Sequence, residues 1–462
     1  MYKMQQTIKE EIHFVGYGIH TGVKTNMTLK SSKENSGIKF IRTDLNGMPE
    51  IKADVDYVFK TQRSTCLKKG EAEIYTVEHI LSAITGAEID NIIIEIDNIE
   101  IPILDGSASD FSRKIQKVGT KKQKAKKKYF EIFKKISLYD EESKSEIVIT
   151  PSDKYQVEVK IDYKSQVLGI QSASLNTLSD FHNEIASNRT FCFIHELDYL
   201  LENDLIKGGD INNAIIIVEN KISEKKLNLL RKKFKNPKIN VNKSGYLNNV
   251  SLRHHNEPAR HKLLDVIGDL SLLGLPIKGK IHAYKPGHKI NTKFAKKLKK
   301  IMKEQINKTA PEINFNREPL YNKEKIKSIL PHRDPFLFID EIRDIGDDFI
   351  VGVKFVKADE YYFQGHFPGE PVMPGVLQLE TMAQAGGVLI LNSVEKPEDY
   401  LTFFLKIDNA KFKRKVVPGD TIIFRLELIS PIRRGLCHMR GAGFVNGKIV
   451  VEAELLAQIS KK

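Results

Sequence analysis

Three side chains that suit metal binding recur every four residues in the middle of the chain: His261, Asp265 and Asp269. This spacing places all three on one face of a helix, and Pro258 suits its first turn because proline has no N–H to leave unpaired. Imidazole and carboxylate are ordinary zinc ligands, and a third protein ligand would leave one position open for water. The alternative is a buried helix with a solvated polar edge, the commoner outcome for this pattern by itself.

A second pair of candidates, Glu78 and His79, lies in an apolar segment that is expected to be helical over residues 76–85. Adjacent residues cannot share one face of a helix, so the two would play different parts. In one arrangement His79 is the third metal ligand and Glu78 is a general base, because a metal lowers the pKa of water. Taken alone, the pair is a very weak signal.

Two further residues could complete such a site. His288 follows Pro286 and Gly287, a turn-forming setting that exposes a side chain on a loop, and Asp269 could orient it and keep it protonated. The Thr190 hydroxyl could donate to a developing oxyanion. Both assignments depend on the fold bringing these segments to one place.

A separate constellation surrounds His366, in a loop with three prolines and three glycines that leave the chain few conformations. The loop opens at Gly375 into an apolar helix, whose unpaired N–H groups would favour an anion such as the enolate of a thioester. Glu380 is an acid within that helix, so it is expected to be paired or tuned for chemistry. Without the loop, a glutamate at a helix edge would be an equal alternative.

Hydrophobic patterning predicts the elements that position these groups. Residues 8–120 alternate strands with a helix, and residues 129–305 follow a similar order, ending in helices at 258–273 and 293–307. The lysine-rich run 121–128 is interpreted as a solvated connector, and the proline-containing stretch 308–320 as a linker. From residue 321 the pattern changes to one apolar helix, 376–391, followed by long alternating strands.

At 462 residues the chain is expected to form two or three domains. The net charge of +14 could indicate nucleic acid or acidic partners, but the lysine-rich runs lack the features of a nucleic-acid module. Three cysteines without paired spacing favour a reducing compartment, and no secretory signal or membrane span is recognisable. We therefore expect a cytoplasmic protein that binds no nucleic acid and has no transmembrane segment.

Short motifs at 18–22, 77–81, 101–108, 188–191, 260–270 and 287–291 together closely resemble the zinc-dependent UDP-3-O-acyl-N-acetylglucosamine deacetylases of lipid A biosynthesis. The resemblance spans residues 5–305 and implies two α/β lobes, one zinc ion and a UDP-sugar lipid substrate. It implies these roles: zinc ligands His79, His261 and Asp265; general base Glu78; cationic histidine His288, supported by Asp269; oxyanion donor Thr190; substrate contacts Lys262 and Phe191. Either His288 or Glu78 would protonate the departing amine.

Alternatives stay open for other members of these motifs. Lys262 could be a surface lysine, and turn geometry is the favoured role of both His20 and Asp105. Cys192 stands where a smaller residue is expected, which leaves the packing around it open. Cys66 could line the cleft, but nothing in the sequence indicates an activated thiol.

The His366 loop, its helix and the segment 330–340 resemble the 3-hydroxyacyl-acyl-carrier-protein dehydratases of fatty acid synthesis. The resemblance covers residues 321–460 and implies a hotdog fold, an acyl carrier protein as partner, and a dimer that commonly assembles into a hexamer. His366 of one subunit would meet Glu380 of the other, with His366 favoured as base. Gly375 and Gln384 are expected on the substrate side, where Gln384 orients Glu380. His332 and Arg333 are expected to be structural.

The sequence therefore predicts an α+β bifunctional enzyme with a two-lobed α/β sandwich deacetylase followed by a hotdog dehydratase. The expected domains are lobes at 1–120 and 129–307, a linker at 308–320 and the hotdog at 321–462. One rival is a zinc amide hydrolase fused to a hotdog thioesterase, against which the loop before Glu380 weighs. The other is a basic scaffold with dead sites, which the intact candidate residues oppose.

Overall fold

The computed structural model describes residues 3–196, 213–234, 236–247 and 251–462. The chain forms two compact units, Met1–Lys300 and Ile301–Lys462. The division falls before the stretch predicted to be a linker, and the finer boundaries predicted from the sequence stay predictions. The mixture of helices and strands in both units confirms the α+β class.

The first unit is built on two sheets. A five-stranded sheet has the order Ile12–Tyr17, Lys24–Ser31, Ile92–Ile96, Ile38–Arg42, Glu50–Lys52. A second has the order Ile136–Asp140, Ser145–Thr150, Ile277–Tyr284, Tyr155–Asp162, Ile170–Leu175, with Phe130–Glu131 also pairing to Ile277–Tyr284. A three-stranded sheet is formed by Val58–Lys60, Cys66–Lys69 and Ala72–Ile74. Two further pairs of strands join Phe191–Phe193 to Ile215–Ile217 and Met4–Ile8 to Thr120–Lys126. The α-helices are Glu78–Gly86, Ser109–Val118, Phe181–Glu184, Glu224–Lys233, Glu257–Ser271 and His288–Asn307.

Two of these helices, Glu78–Gly86 and Glu257–Ser271, pack against each other and are here called the first and second central helices. Gly268 of the second central helix allows the contact, because a Cβ at this position would lie 2.1 Å from the carbonyl oxygen of Glu78. The second central helix also contacts strands Tyr155–Asp162 and Ile170–Leu175. The predicted helices at 76–85 and 258–273 are thus confirmed, each with small shifts of its ends.

The interpretation of residues 121–128 as a connector is wrong. Most of the run lies in strand Thr120–Lys126, which pairs antiparallel with Met4–Ile8 at the start of the chain. Backbone pairing makes no demand on the polarity of side chains, and in a two-stranded ribbon the lysines can remain in solvent. The second lysine-rich run does form the predicted helix, within His288–Asn307, and this helix buries Phe294, Leu298 and Met302.

The second unit wraps an antiparallel sheet around one helix, Gly375–Leu391. The six strands have the order Glu341–Ile345, Phe349–Phe355, Thr421–Leu428, Leu436–Val445, Lys448–Lys461, Tyr400–Phe412. A short helix, Lys323–Ile329, precedes them. The helix Gly375–Leu391 is largely buried and contacts five of the six strands, which is the arrangement expected of a hotdog fold. Among the described residues, no helix combines the length and the apolar character needed to cross a bilayer.

We expect Gly268→Ala to destabilise the protein. In a helix, alanine is normally more favourable than glycine by up to about 1 kcal/mol. At this position, however, its methyl group would press on the backbone of Glu78, and such overpacking costs roughly 1–3 kcal/mol. Gly387→Ala is the matched control, because its methyl group would meet only the flexible end of Leu330 at 3.1 Å. Thermal unfolding of both variants tests this, and a Gly268→Ala protein more stable than wild type would contradict it.

Candidate active sites

The two central helices bring His79, His261 and Asp265 together. One ligand atom from each lies within 4.8 Å of the others, and all three residues are buried. His261 Nδ1 lies 3.0 Å from the backbone oxygen of Asn188, which leaves Nε2 facing Asp265 Oδ1 at 3.4 Å. Among the described residues, His79 Nδ1 and Asp265 Oδ1 are buried without a hydrogen-bond partner. We call these three residues the metal cluster.

The chemistry of the metal cluster fits a divalent ion such as zinc. Burial lowers the pKa of His79 to about 3, and it also lowers the pKa of His261, so both rings are neutral near pH 7. Metal binding requires neutral imidazole and ionised carboxylate. Burial opposes ionisation of Asp265, but the positive charges of Lys262 and His288 hold the pKa of its carboxyl well below its usual range.

Glu78 lies beside the metal cluster with only 2 % of its surface exposed. Its Oε2 accepts a hydrogen bond from the Thr65 backbone N–H at 3.0 Å, and its Oε1 lies 3.7 Å from His288 Nε2. Burial raises the pKa of Glu78 to about 8, against the opposing effect of the His288 charge. The carboxyl group is therefore fixed in position and suited to exchanging protons near neutral pH.

His288 is held by Asp269 as the sequence predicted, with Nδ1 and Oδ2 2.9 Å apart. Burial alone would lower the pKa of His288, but the charges of Asp269 and Glu78 raise it to about 9. The expectation that His288 is exposed on a loop is wrong, because it begins helix His288–Asn307 and is 8 % exposed. The preceding Pro-Gly turn aims the residue inward, where the Asp269 carboxylate is buried.

Lys262 also belongs to this site, and the surface-lysine alternative is wrong. Its Nζ lies 2.8 Å from Asp265 Oδ2 and 5.6 Å from the centre of the Phe191 ring. Burial opposes its charge, but Asp265 raises the pKa of Lys262 above its ordinary value. Phe191 lies edge-on to His261 with ring centres 6.4 Å apart, so Thr190 is adjacent in sequence to a residue of the site. The hydrogen bond from the Thr190 backbone N–H to Gly106 O fixes that segment.

Both turn predictions are confirmed. The backbone N–H of Gly22 donates to Gly18 O at 3.0 Å and closes the turn that contains His20, whose own backbone N–H lies 3.1 Å from Glu100 Oε1. Asp105 Oδ1 accepts from the backbone and hydroxyl of Ser107, closing an Asx turn.

Both cysteines of the first unit that the sequence singled out can be placed. Burial raises the pKa of Cys66 to about 11, so its thiol is not activated. The Cys192 side chain is accommodated at the edge of a small apolar cluster that includes Ile194 and Ile216. The packing around Cys192 that the sequence left open is therefore apolar.

In the second unit, Glu380 is surrounded by polar side chains at the edge of the apolar helix. Gln384 Nε2 donates to Glu380 Oε1 at 2.9 Å and also bonds the backbone oxygen of Phe336. His332 Nε2 lies 3.5 Å from Glu380 Oε1. His332 therefore contacts the acid, and the expectation that it is structural stays a prediction. Arg333 donates to the backbone oxygens of Leu330 and His332, the structural part expected of it.

His366 is fixed by its own loop. Its Nδ1 lies 2.8 Å from the backbone oxygen of Val372, which orients the ring, and its peptide bond to Phe367 is cis. Within the part of one chain that the structure describes, His366 and Glu380 make no hydrogen bond or ion pair with each other. A cavity of about 180 Å³ opens beside Glu380, with lining residues that include His332, Phe336, Phe403, Met439, Leu455 and Ile459.

Comparison with known proteins accounts for both units. A family model described as UDP-3-O-acyl N-acetylglycosamine deacetylase matches residues 5–234 and 225–300, and a FabA-like domain model matches residues 330–454. A "Bifunctional enzyme LpxC/FabZ" from Porphyromonas gingivalis is 48 % identical over 98 % of this chain and 98 % of that protein. The chain belongs to the bifunctional LpxC/FabZ family. It is thus an enzyme that joins a deacetylase to a dehydratase.

Other relatives separate the two parts. A bifunctional LpxC/FabZ from Bacteroides thetaiotaomicron is 46 % identical over 99 % of both chains. A UDP-3-O-acyl-N-acetylglucosamine deacetylase from Syntrophus aciditrophicus is 38 % identical over 64 % of this chain and 85 % of its own length. The deacetylase part therefore also occurs without a fused partner.

Sequence reasoning missed Thr65 and Asn291 in this LpxC/FabZ chain. The Thr65 hydroxyl lies 2.5 Å from Asp269 Oδ1, and Asn291 Nδ2 lies 2.8 Å from Asp269 Oδ2. Asn291 lies one helical turn after His288, a spacing that could have been noticed. Thr65 is far from Asp269 in sequence, and nothing in the local pattern indicates the contact.

We expect Asp265→Ala to abolish tight zinc binding, because the variant loses a ligand and leaves two neutral imidazoles. Asp140→Ala is the matched control, since Asp140 is also buried in the first unit but pairs with Lys293. Zinc titration of the metal-free full chain, with bound metal measured after dialysis, tests this. Stoichiometric zinc in the Asp265→Ala protein would show that the ion is held elsewhere.

Proposed function

We propose that the first unit hydrolyses the N-acetyl group of UDP-3-O-(3-hydroxyacyl)-N-acetylglucosamine. The second unit dehydrates (3R)-hydroxyacyl-acyl-carrier-protein to the trans-2-enoyl thioester. The observation that carries the first proposal is the placement of Glu78 and a cationic His288 on the metal cluster. The full-length likeness to bifunctional LpxC/FabZ proteins supports both activities.

The metal cluster would hold one zinc ion through His79, His261 and Asp265. Such an ion supplies a Lewis acid for the amide carbonyl and lowers the pKa of water. Glu78 takes the proton of the attacking water, a role that its fixed position allows. The cationic His288 stabilises negative charge that develops on the amide, and either His288 or Glu78 protonates the departing amine.

The remaining residues of the first site bind substrate and stabilise charge. Thr190 donates its hydroxyl to the oxyanion of the tetrahedral intermediate. Lys262 and Phe191 form one wall for the sugar, with Lys262 Nζ 5.6 Å from the centre of the Phe191 ring. Asp269 acts through His288 by holding its ring in one orientation.

In the dehydratase unit His366 removes a proton from C2 of the thioester, and Glu380 protonates the C3 hydroxyl that leaves as water. The Val372 carbonyl accepts from His366 Nδ1–H, so Nε2 can accept the substrate proton. The helix beginning at Gly375 offers N–H groups to the thioester oxygen. Gln384 and His332 orient Glu380, and the adjacent cavity accommodates the acyl chain.

This dehydratase site requires a second copy of the chain, since His366 and Glu380 do not meet within one. Strand Tyr400–Phe412 is the edge of its sheet and exposes Phe403, Phe404, Leu405, Ile407 and Phe412. An exposed apolar edge strand is typical of a surface covered by another chain. We therefore propose a homodimer through this strand, with a hexamer built from three such dimers as the full assembly.

The acyl carrier protein is the proposed protein partner, and no nucleic acid is expected. The acidic character of the acyl carrier protein would suit the net charge of this chain, which is +14. The three cysteines are free, which supports a cytoplasmic location. The thioesterase alternative is disfavoured by the fixed His366 and by the polar environment of Glu380.

The first experiment is the release of acetate from UDP-3-O-(3-hydroxyacyl)-N-acetylglucosamine by the full chain. We expect activity to be lost on chelation and to return when zinc is added. A folded, zinc-loaded protein that releases no acetate would contradict the deacetylase proposal. Hydrolysis of the acyl thioester instead of enoyl formation would contradict the dehydratase proposal.

The two activities should separate by mutation. We expect Asp265→Ala to lose acetate release with dehydration unchanged, and Glu380→Gln to lose dehydration with acetate release unchanged, because each residue lies in a different unit. Losses of at least about 100-fold are expected, since each variant removes a reacting group or a metal ligand. Both rates are measured on the same preparation of each variant. Equal damage to both activities by either variant would contradict independent sites.

Leu405→Lys should disrupt the dimer, because it places charge on the exposed edge strand. Light scattering should detect monomers, and dehydration should fall with acetate release retained. Ile170→Lys is the matched control, an equally exposed apolar strand residue in the first unit. An intact, active Leu405→Lys dimer would contradict this interface.

A further inference from the structure

Thr65 is a buried residue outside the motifs that identified the deacetylase site, yet each of its polar groups contacts that site. Its surface is fully buried, at 0 % exposure. The backbone N–H donates to Glu78 Oε2 at 3.0 Å, and the backbone oxygen accepts from the Val77 N–H at 3.2 Å. The hydroxyl donates to Asp269 Oδ1 at 2.5 Å.

These contacts join the two central helices through a third segment. Val77 and Glu78 mark the start of the first central helix, and Asp269 lies near the end of the second. Thr65 immediately precedes strand Cys66–Lys69, so its backbone is anchored by that strand. One residue thereby fixes the carboxylates of Glu78 and Asp269 with respect to each other.

The Thr65 hydroxyl completes the hydrogen bonding of the fully buried Asp269 carboxylate. Asp269 is 0 % exposed, and its Oδ2 contacts both His288 Nδ1 and Asn291 Nδ2. Thr65 supplies the hydrogen bond to the other oxygen. A carboxylate with both oxygens engaged cannot rotate without breaking a buried hydrogen bond, which is energetically costly. The orientation of His288 therefore depends on the Thr65 hydroxyl.

We infer that Thr65 is a positioning residue, which holds the proton-accepting Glu78 and the Asp269–His288 pair in register through its backbone N–H and its hydroxyl. The inference rests on the proposed deacetylase function and adds a residue to it. The three polar groups of Thr65 all make hydrogen bonds within the protein, so we expect its effect to appear in the rate of the chemical step. Substrate affinity and metal content should not depend on it.

The test compares Thr65→Val, which removes the hydroxyl at nearly constant volume, with Thr65→Ser, which keeps it. For Thr65→Val we expect kcat for acetate release to fall about 10- to 100-fold, the usual effect of losing a supporting hydrogen bond at a metal site. KM, bound zinc and dehydration should stay at wild-type values. Thr65→Ser should restore kcat to within about threefold of wild type, because the hydrogen bond to Asp269 returns.

Thr25→Val is the matched control. Thr25 is also fully buried in the first unit, but its hydroxyl has no hydrogen-bond partner among the described residues. Loss of the Thr25 hydroxyl should leave kcat and KM for acetate release unchanged. If Thr65→Val does not fold, as judged by thermal unfolding, Thr65→Ala replaces it, since alanine removes the hydroxyl without adding bulk.

The outcomes distinguish the inference from the function on which it rests. Wild-type kcat in a folded hydroxyl-free variant, a loss confined to KM or zinc content, or a loss that serine does not restore would overturn the positioning role only. A wild-type enzyme that releases no acetate would overturn the proposed function, and the inference with it. A kcat loss restored by serine, with Thr25→Val unaffected, would support both.

Discussion

The close contact between the two central helices is the constraint on which the deacetylase site depends. The absence of a side chain at Gly268 lets the backbone of Glu78 approach the second central helix directly. That approach brings Glu78 and His79 against the polar face of the second central helix, which carries the other two potential ligands, His261 and Asp265. Because a packed core yields little to small displacements, the three residues of the metal cluster and Glu78 are held in fixed relation.

Charge balance explains how so many ionisable groups can be buried in one place. Asp265 pairs with Lys262, and Asp269 pairs with His288, so each of these two buried aspartates has its own cation. The metal cluster then contributes two neutral imidazoles, whose pKa values burial has lowered. A divalent ion would bring positive charge to a region where the groups of the protein already compensate one another.

The dehydratase unit solves a different problem with fewer charges. Its helix is apolar and enclosed by the sheet, so a single acid is placed at its edge and held by one amide and one imidazole. His366 is fixed separately, by a backbone carbonyl within its own loop. The two candidate residues are thus held by different segments of the unit, and the cavity beside Glu380 is lined in part by Phe403 of the exposed edge strand.

The sequence by itself determined what local spacing can encode. The four-residue repeat predicted that His261, Asp265 and Asp269 share one helix face, and the apolar run predicted the helix that carries Glu380. Motif order then indicated the family, which the comparisons confirmed. The α+β class followed from the alternation of helical and strand patterns, which is also a local property.

Tertiary structure decided everything that depends on distant segments. The contact of Thr65 with Asp269 spans 204 positions, and the inward direction of His288 follows from packing that no local pattern records. The approach of His332 to Glu380 and the pairing of the lysine-rich strand with the start of the chain are of the same kind. Periodicity specifies which side of an element is buried, but the partner against which it is buried is chosen by the fold as a whole.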